Sequence, residues 1–138
     1  MTARHDRLAR RLGSERGAVA VEFALVVPLL LVLLFGIISV SRAFQVQGTL
    51  SGAAREAARA MAIQNDPNAA KAAAVFAAST SSLPLSAGEV KIVPETCTGK
   101  PPTQNITVTI STQFQPAGSF AGGKSFTITS KAVFRCGG

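Results

Sequence analysis

The apolar residues of this chain fall into three zones, each with its own period. Residues 18–41, AVAVEFALVVPLLLVLLFGIISVS, form one block that is hydrophobic on every side. A surface helix of a soluble protein keeps a polar face, so a run that is apolar all round predicts a membrane span. As a helix these 24 residues rise about 36 Å, enough for a hydrocarbon core of ~30 Å. The second zone, residues 42–63, places apolar side chains at Ala43, Val46, Leu50, Ala53, Ala57 and Met61. Steps of three and four make one helical stripe, so the helix is expected to leave the membrane and become amphipathic. Gly48 and Gly52 weaken it by about 1 kcal/mol each against alanine.

Asn65-Asp66-Pro67 then stops one helix and starts another, with Asp66 as cap and Pro67 at the first helical position. Residues 67–79, PNAAKAAAVFAAS, read as a short alanine-rich helix, and residues 80–88, TSSLPLSAG, as a loop. In the third zone the period falls to two. Glu89–Val93 is a short strand candidate. Ile106, Val108 and Ile110 alternate with Thr107, Thr109 and Ser111, and Phe126, Ile128, Ala132 and Phe134 alternate with Thr127, Thr129, Lys131 and Arg135. Both patterns predict half-buried strands, separated by a turn over residues 115–124 that holds Pro116, Gly118, Gly122 and Gly123. The expected fold is α+β: a long N-terminal transmembrane and amphipathic helix, a second short helix, and a small antiparallel sheet of about three strands. The expected organisation is a leader at 1–17, a span at 18–41, an amphipathic extension at 42–63 and a small extracytoplasmic domain at 64–138.

Charge changes the picture by fixing a direction. The formal charge is +7, but Arg4, Arg7, Arg10, Arg11 and Arg16 precede the apolar block with only Asp6 and Glu15 against them, so residues 1–17 alone hold +3. Only Arg42 follows the block closely, and the asymmetry places the N-terminus in the cytoplasm. The leader is otherwise expected to be disordered in solution or to contact anionic headgroups. Basic charge also serves nucleic-acid binding, but the chain has no Trp or Tyr and no aromatic platform interleaved with its basic residues.

Chemistry is sparse. The one histidine, His5, lies in the leader, and neither a nucleophile–base pair nor a set of metal ligands can be assembled. No enzyme activity, cofactor, metal or nucleic-acid partner is expected. Cys97 and Cys136 both lie past the apolar block, and an even count on an exported side suggests one disulfide. With about 75 residues after Ile63 the core is small, and a staple would help it.

One residue in the apolar block needs a reason. Glu22 lies inside the run, where an ionised carboxylate costs several kcal/mol. The surrounding stretch is Glu15-Arg16-Gly17-Ala18-Val19-Ala20-Val21-Glu22-Phe23: a charged leader ending in glycine, four small apolar residues, a carboxylate and an aromatic. This resembles the type IV prepilin signal. The resemblance implies cleavage after Gly17 on the cytoplasmic side, a mature N-terminus at Ala18, and Glu22 as fifth mature residue. Cleavage would create an α-amine one helical turn from Glu22, a cationic partner within one subunit or between neighbours. Pro28 removes a backbone donor, which membrane helices tolerate; it either softens the helix where a pilin leaves the bilayer or leaves a harmless kink.

Farther along, the ordered series Arg16-Gly17-Ala18-Val19-Ala20-Val21-Glu22-Phe23-Ala24-Leu25-Val26-Val27-Pro28-Leu29-Leu30-Leu31, then Phe35-Gly36-Ile37-Ile38, Arg42-Ala43-Phe44 and Ala53-Ala54-Arg55-Glu56-Ala57-Ala58-Arg59, resembles the TadE-like family of tight-adherence pilus systems. Ala57 stands where the family pattern often has glycine. The resemblance covers about a third of the chain, and none of it lies beyond Ile63. It implies a minor pseudopilin of the bacterial inner membrane, processed by a prepilin peptidase at Gly17 and Ala18. Glu22 and Phe23 would serve assembly, and the partners would be other pilus subunits, inner-membrane assembly proteins and lipid. Two alternatives stay open: an unprocessed single-pass anchor carrying a small binding domain, and a secreted protein cut after Ala43, where Ser41 and Ala43 are small but Arg42 fits poorly.

Overall fold

A computed structural model describes the backbone of residues 5–116 and 122–137, with side chains from Gly17 onward. The elements run α1 (His5–Gln64), α2 (Pro67–Ser79), a short 3-10 turn (Ala87–Glu89), β1 (Val90–Val93), β2 (Asn105–Phe114) and β3 (Phe126–Arg135). The architecture is the expected α+β one: a long apolar helix, a second short helix and a three-stranded antiparallel sheet. Part of the expected turn over residues 115–124, namely 117–121, lies outside the described residues.

The chain divides into two compact units, one ending at Ile38 and the other spanning Ser39–Gly138. In the first, α1 takes in residues 5–17 of the basic leader, so their backbone is helical where composition suggested disorder. The segment has no proline, and lengthening an existing helix avoids the nucleation cost that disfavours a short isolated one. From Gly17 on, almost every side chain of this unit is exposed, and the helix continues through Pro28. By length and composition α1 is apolar enough to cross a membrane, and among the described residues no other helix is.

The second unit is held by one core. Leu50, Ala53, Ala54, Ala57, Ala58, Met61 and Ala62 of α1 are buried, as are Ala70, Ala74 and Ala78 of α2. They meet the inner face of the sheet at Val90, Ile92, Ile106, Val108, Ile110 and Ala132. The alanines let backbones approach closely, and the bulk comes from a few large side chains: Leu50, Met61, Ile106, Val108 and Ile110. Strand order is β1-β2-β3. The register pairs Ile92 with Val108 and Val108 with Ala132, so the inward positions align across all three strands.

Local chemistry explains the ends of α2. The carboxylate of Asp66 accepts from Asn68 N at 2.8 Å, with Pro67 at the first turn. At the other end Ser82 adopts φ 57°, Leu83 N donates to Ala78 O at 3.2 Å and Ser82 N to Ser79 O at 2.9 Å. This is a Schellman closure that satisfies the last carbonyls.

Three details depart from the sequence reading. β1 begins at Val90, because Glu89 closes the 3-10 turn by accepting from Ser86 N at 2.8 Å and Ser86 Oγ at 2.9 Å. β2 runs past Ser111 to Phe114, with Gln113 Nε2 donating to Thr127 Oγ1 at 3.0 Å. In β3 the buried positions are Ser130 and Ala132, whereas Phe126 and Phe134 are 55% and 39% exposed. α1 covers only the middle of that strand, where the Ser51 and Ser130 hydroxyls meet at 2.9 Å.

Candidate functional site

The candidate processing and assembly residues sit on one stretch of α1. Gly17, Ala18, Glu22 and Phe23 are consecutive-turn neighbours in the first unit, and all four are exposed. At a rise of 1.5 Å per residue, Glu22 stands about 6 Å along the axis from Ala18, one turn away on the same face. Leu25 and Val26 follow one turn further, both exposed, so the carboxylate is carried on an otherwise apolar surface. A Cβ added at Gly17 would meet nothing within 4 Å. The glycine is thus not required by packing within the chain, and its effect there is to weaken the helix locally.

The second candidate set, Cys97 and Cys136, is brought together. The two form a disulfide with a Cα–Cα distance of 5.6 Å across a separation of 39 residues. It ties the end of β3 to the loop between β1 and β2, and Cys136 N adds a hydrogen bond to Gln104 O at 2.8 Å. Arg55, Glu56 and Arg59, the charged residues after the membrane exit, all face solvent on α1.

Sequence reasoning gave Asn65 too small a role. It ends α1 with φ 51°, a left-handed conformation that asparagine tolerates better than most residues. Its Nδ2 donates to Thr98 Oγ1 at 2.7 Å, and its Oδ1 accepts from Cys97 N. One side chain therefore fastens the end of α1 to the disulfide loop. An asparagine placed directly before a helix-capping Asp-Pro is the signal that pointed to it, but its long-range partners are not readable from spacing. Among the described residues no group of three or more His, Cys, Asp or Glu is arranged to hold a metal ion.

The model of the family described as TadE-like protein matches residues 17–59. Neither the curated proteins nor the solved structures contain a match to the chain. The matched segment starts at the glycine of the candidate processing site, takes in the apolar part of α1, and ends in the amphipathic stretch that carries Leu50, Ala53 and Ala57. The match and the long apolar helix together fit a pilus-related, membrane-anchored protein whose residues 17–59 are TadE-like.

Proposed function

We propose that the chain is a non-enzymatic minor pseudopilin of a tight-adherence type IV pilus, inserted once in the bacterial inner membrane and cut by a prepilin peptidase between Gly17 and Ala18. The observation that carries this reading is the placement of Gly17, Ala18 and Glu22 at the start of the TadE-like match, with Glu22 one turn above the new terminus. Cleavage leaves an α-amine with a reference pKa near 7.7–8.0. That amine is the cation that offsets the cost of a carboxylate in an apolar run, within a subunit or across to a neighbour. The basic leader and the disulfide support one orientation from opposite ends. Arginine-rich flanks stay cytoplasmic, and disulfides persist in oxidising compartments. The partners are accordingly the peptidase, other pilus subunits, inner-membrane assembly proteins and lipid.

One observation favours the alternative of an unprocessed anchor with a small extracytoplasmic binding domain. α1 passes through Gly17 without a break, so the bond to be cut lies inside a helix. Intact mass and N-terminal sequencing of membrane-extracted protein, with and without the cognate peptidase, separate the two. A peptidase-dependent start at Ala18 supports the pseudopilin, and a start at Met1 in both samples leaves the anchor. Replacing Glu22 with alanine is then expected to leave insertion intact and to abolish pilus assembly; normal pili from that variant would refute the role given to Glu22.

A further inference from the structure

Within the second unit the sheet ends on β3 with one edge unpaired, since the strand order is β1-β2-β3. In an antiparallel pair, alternate residues turn their N–H and C=O toward the neighbouring strand and the rest turn them away. Cys136 N donates to Gln104 O at 2.8 Å, so the residues in step with Cys136, namely Phe134, Ala132 and Ser130, face β2. Thr129, Lys131, Val133 and Arg135 therefore present their backbone groups at the free edge. The bond from Gln47 Nε2 to Thr129 O at 3.4 Å agrees with this, because α1 reaches the edge there and occupies it. Beyond Thr129, among the described residues, no group meets the outward N–H and C=O of Lys131, Val133 and Arg135. They form a row of donors and acceptors about 13 Å long. The opposite edge is different: β1 has four residues and is followed directly by Pro94.

The side chains along this edge are basic. Ser130 and Ala132 are buried on the inner face, so Lys131, Val133 and Arg135 project from the outer one, and all three are exposed. α1 adds two more cations. Gln47 and Ser51, which reach Thr129 and Ser130, stand four apart on one ridge of the helix, and Arg55 and Arg59 continue that ridge. Both arginines are exposed and flank the edge from the helix side. The acids of the unit lie elsewhere. Glu56 is about 100° further round α1 than Arg55. Asp66 caps α2, and Glu95 follows β1, which β2 separates from this edge. Glu89 turns from the start of β1 toward Ser86 and Thr112, and Thr112 pairs with Ile128, at the end of β3 away from Arg135.

We propose that the free edge of β3 from Lys131 to Arg135 takes up an extended acidic segment of another protein as a fourth strand of the sheet. A row of alternating N–H and C=O groups is matched by a backbone in strand conformation, and the cations beside it select carboxylates on the incoming segment. A second copy of this chain fits poorly. Its β3 edge would bring Lys131 and Arg135 against the same residues, and its short β1 edge carries Lys91. Lysine on an open edge guards against self-pairing, and here the same charge admits an acidic strand. The proposal holds whether or not the chain is cut at Gly17, so it stands apart from the pseudopilin reading.

The test uses the full-length protein in detergent micelles and a short fluorescein-labelled peptide of alternating valine and threonine, with glutamates at two positions four apart. A lysine version of the peptide, and heparin as a polyanion without a peptide backbone, are the controls. The glutamate peptide is expected to bind about tenfold or more tightly than the lysine peptide. It should slow amide hydrogen exchange at Lys131, Val133 and Arg135, which heparin should leave fast. Val133→Pro removes one outward N–H without touching the bonds to β2, a change that edge strands tolerate. It should weaken peptide binding about fivefold or more. Lys131→Glu reads the charge if the proline disturbs the strand, and should weaken the glutamate peptide while strengthening the lysine one. No binding of the glutamate peptide, or binding without protection of the three amides, would overturn the proposal. Equal protection by heparin would mean that charge alone is read, and would also overturn it. Slow exchange of the three amides in the protein alone would mean that the edge is already covered, by α1 or a second copy, with the same consequence.

Discussion

Leu30 and Leu50 lie on the same helix and meet opposite fates. Leu30 is 56% exposed and Leu50 is fully buried. The stretch around Leu30 is apolar on every side, and nothing in its own unit covers it. The stretch around Leu50 keeps its apolar residues to one stripe, and on the other faces Gln47, Gly48, Gly52, Arg55, Glu56 and Arg59 are exposed. The difference reflects what each part is solvated by. A sheet covers one side of a helix, so hydrophobicity on the remaining sides would be wasted in water. Lipid, or a ring of neighbouring apolar helices, surrounds it, so every side must be apolar. The alanines at positions 53, 54, 57 and 58 add a second contrast: small residues let the sheet approach α1, whereas the block before them is dominated by leucine and valine.

The largest effect should come from removing the staple, because it acts on one region alone. A loop of about 40 residues closed by a disulfide is worth roughly 4 kcal/mol in the chain-entropy account. For a core this small, that is a large share of the total. Changing both Cys97 and Cys136 to serine is expected to unfold the second unit near body temperature. The apolar part of α1 should remain helical in detergent. Circular dichroism during heating would then show the strand signal lost early and a helical fraction that persists. Concerted loss of both would show that the two regions are not independent. Next in size is the same substitution made twice on one helix. Leu50→Ala should cost about 2–5 kcal/mol in urea unfolding of the domain, as buried leucines do. Leu30→Ala should shift the same midpoint by no measurable amount. A shift at Leu30 comparable to that at Leu50 would remove the distinction between the two regions.

How much of this was legible beforehand depended on whether the cause was local. α2 and β3 start and stop where caps and alternation placed them, because Asp66, Pro67 and the Thr127–Thr129–Lys131 series act on their immediate neighbours. The pairing of Cys97 with Cys136 was legible because the chain has no other cysteine. The extra length of β2 was not, since Thr112 and Gln113 break the apolar alternation and are held by partners on other elements. Alternation also identified the inner face of β3 without revealing that Ser130, not Phe126 or Phe134, lies under α1. For the candidate site, the spacing of Gly17, Ala18 and Glu22 was visible directly. The bridge made by Asn65 was not, because its partners Thr98 and Cys97 are more than 30 residues away.

Asn65 supplies the third test, at the end of the covered region. Asn65→Ala removes three side-chain hydrogen bonds, the one from Thr96 Oγ1 being long at 3.4 Å, and puts a less tolerant residue at φ 51°. A loss of about 1–2 kcal/mol is expected in the urea midpoint of the second unit, from bonds worth about 1 kcal/mol each. Asn65→Gly should recover part of it, since glycine accepts the backbone conformation but not the bonds. Equal losses for the two variants would assign the whole effect to the bonds.

The smallest effect is a pH dependence confined to the domain. Hydrogen bonding from the Ser86 backbone, with help from the Thr112 and Ser86 side chains, holds the Glu89 carboxyl below its ordinary value of 4.5, against a weaker opposing push from burial. A carboxylate whose folded pKa is depressed stabilises the fold above its unfolded pKa and loses that contribution as pH falls through the folded one. Domain stability should therefore be level from pH 7 to about 5 and decline below about 4.5, by a small amount because the group is partly exposed and screened. Glu89→Gln keeps an acceptor for Ser86 N but cannot titrate. Its urea midpoint should lie slightly below that of the parent at pH 7 and fall less steeply between pH 5 and 3. Parallel profiles for the two proteins would mean that other carboxylates, not Glu89, set the acid limb.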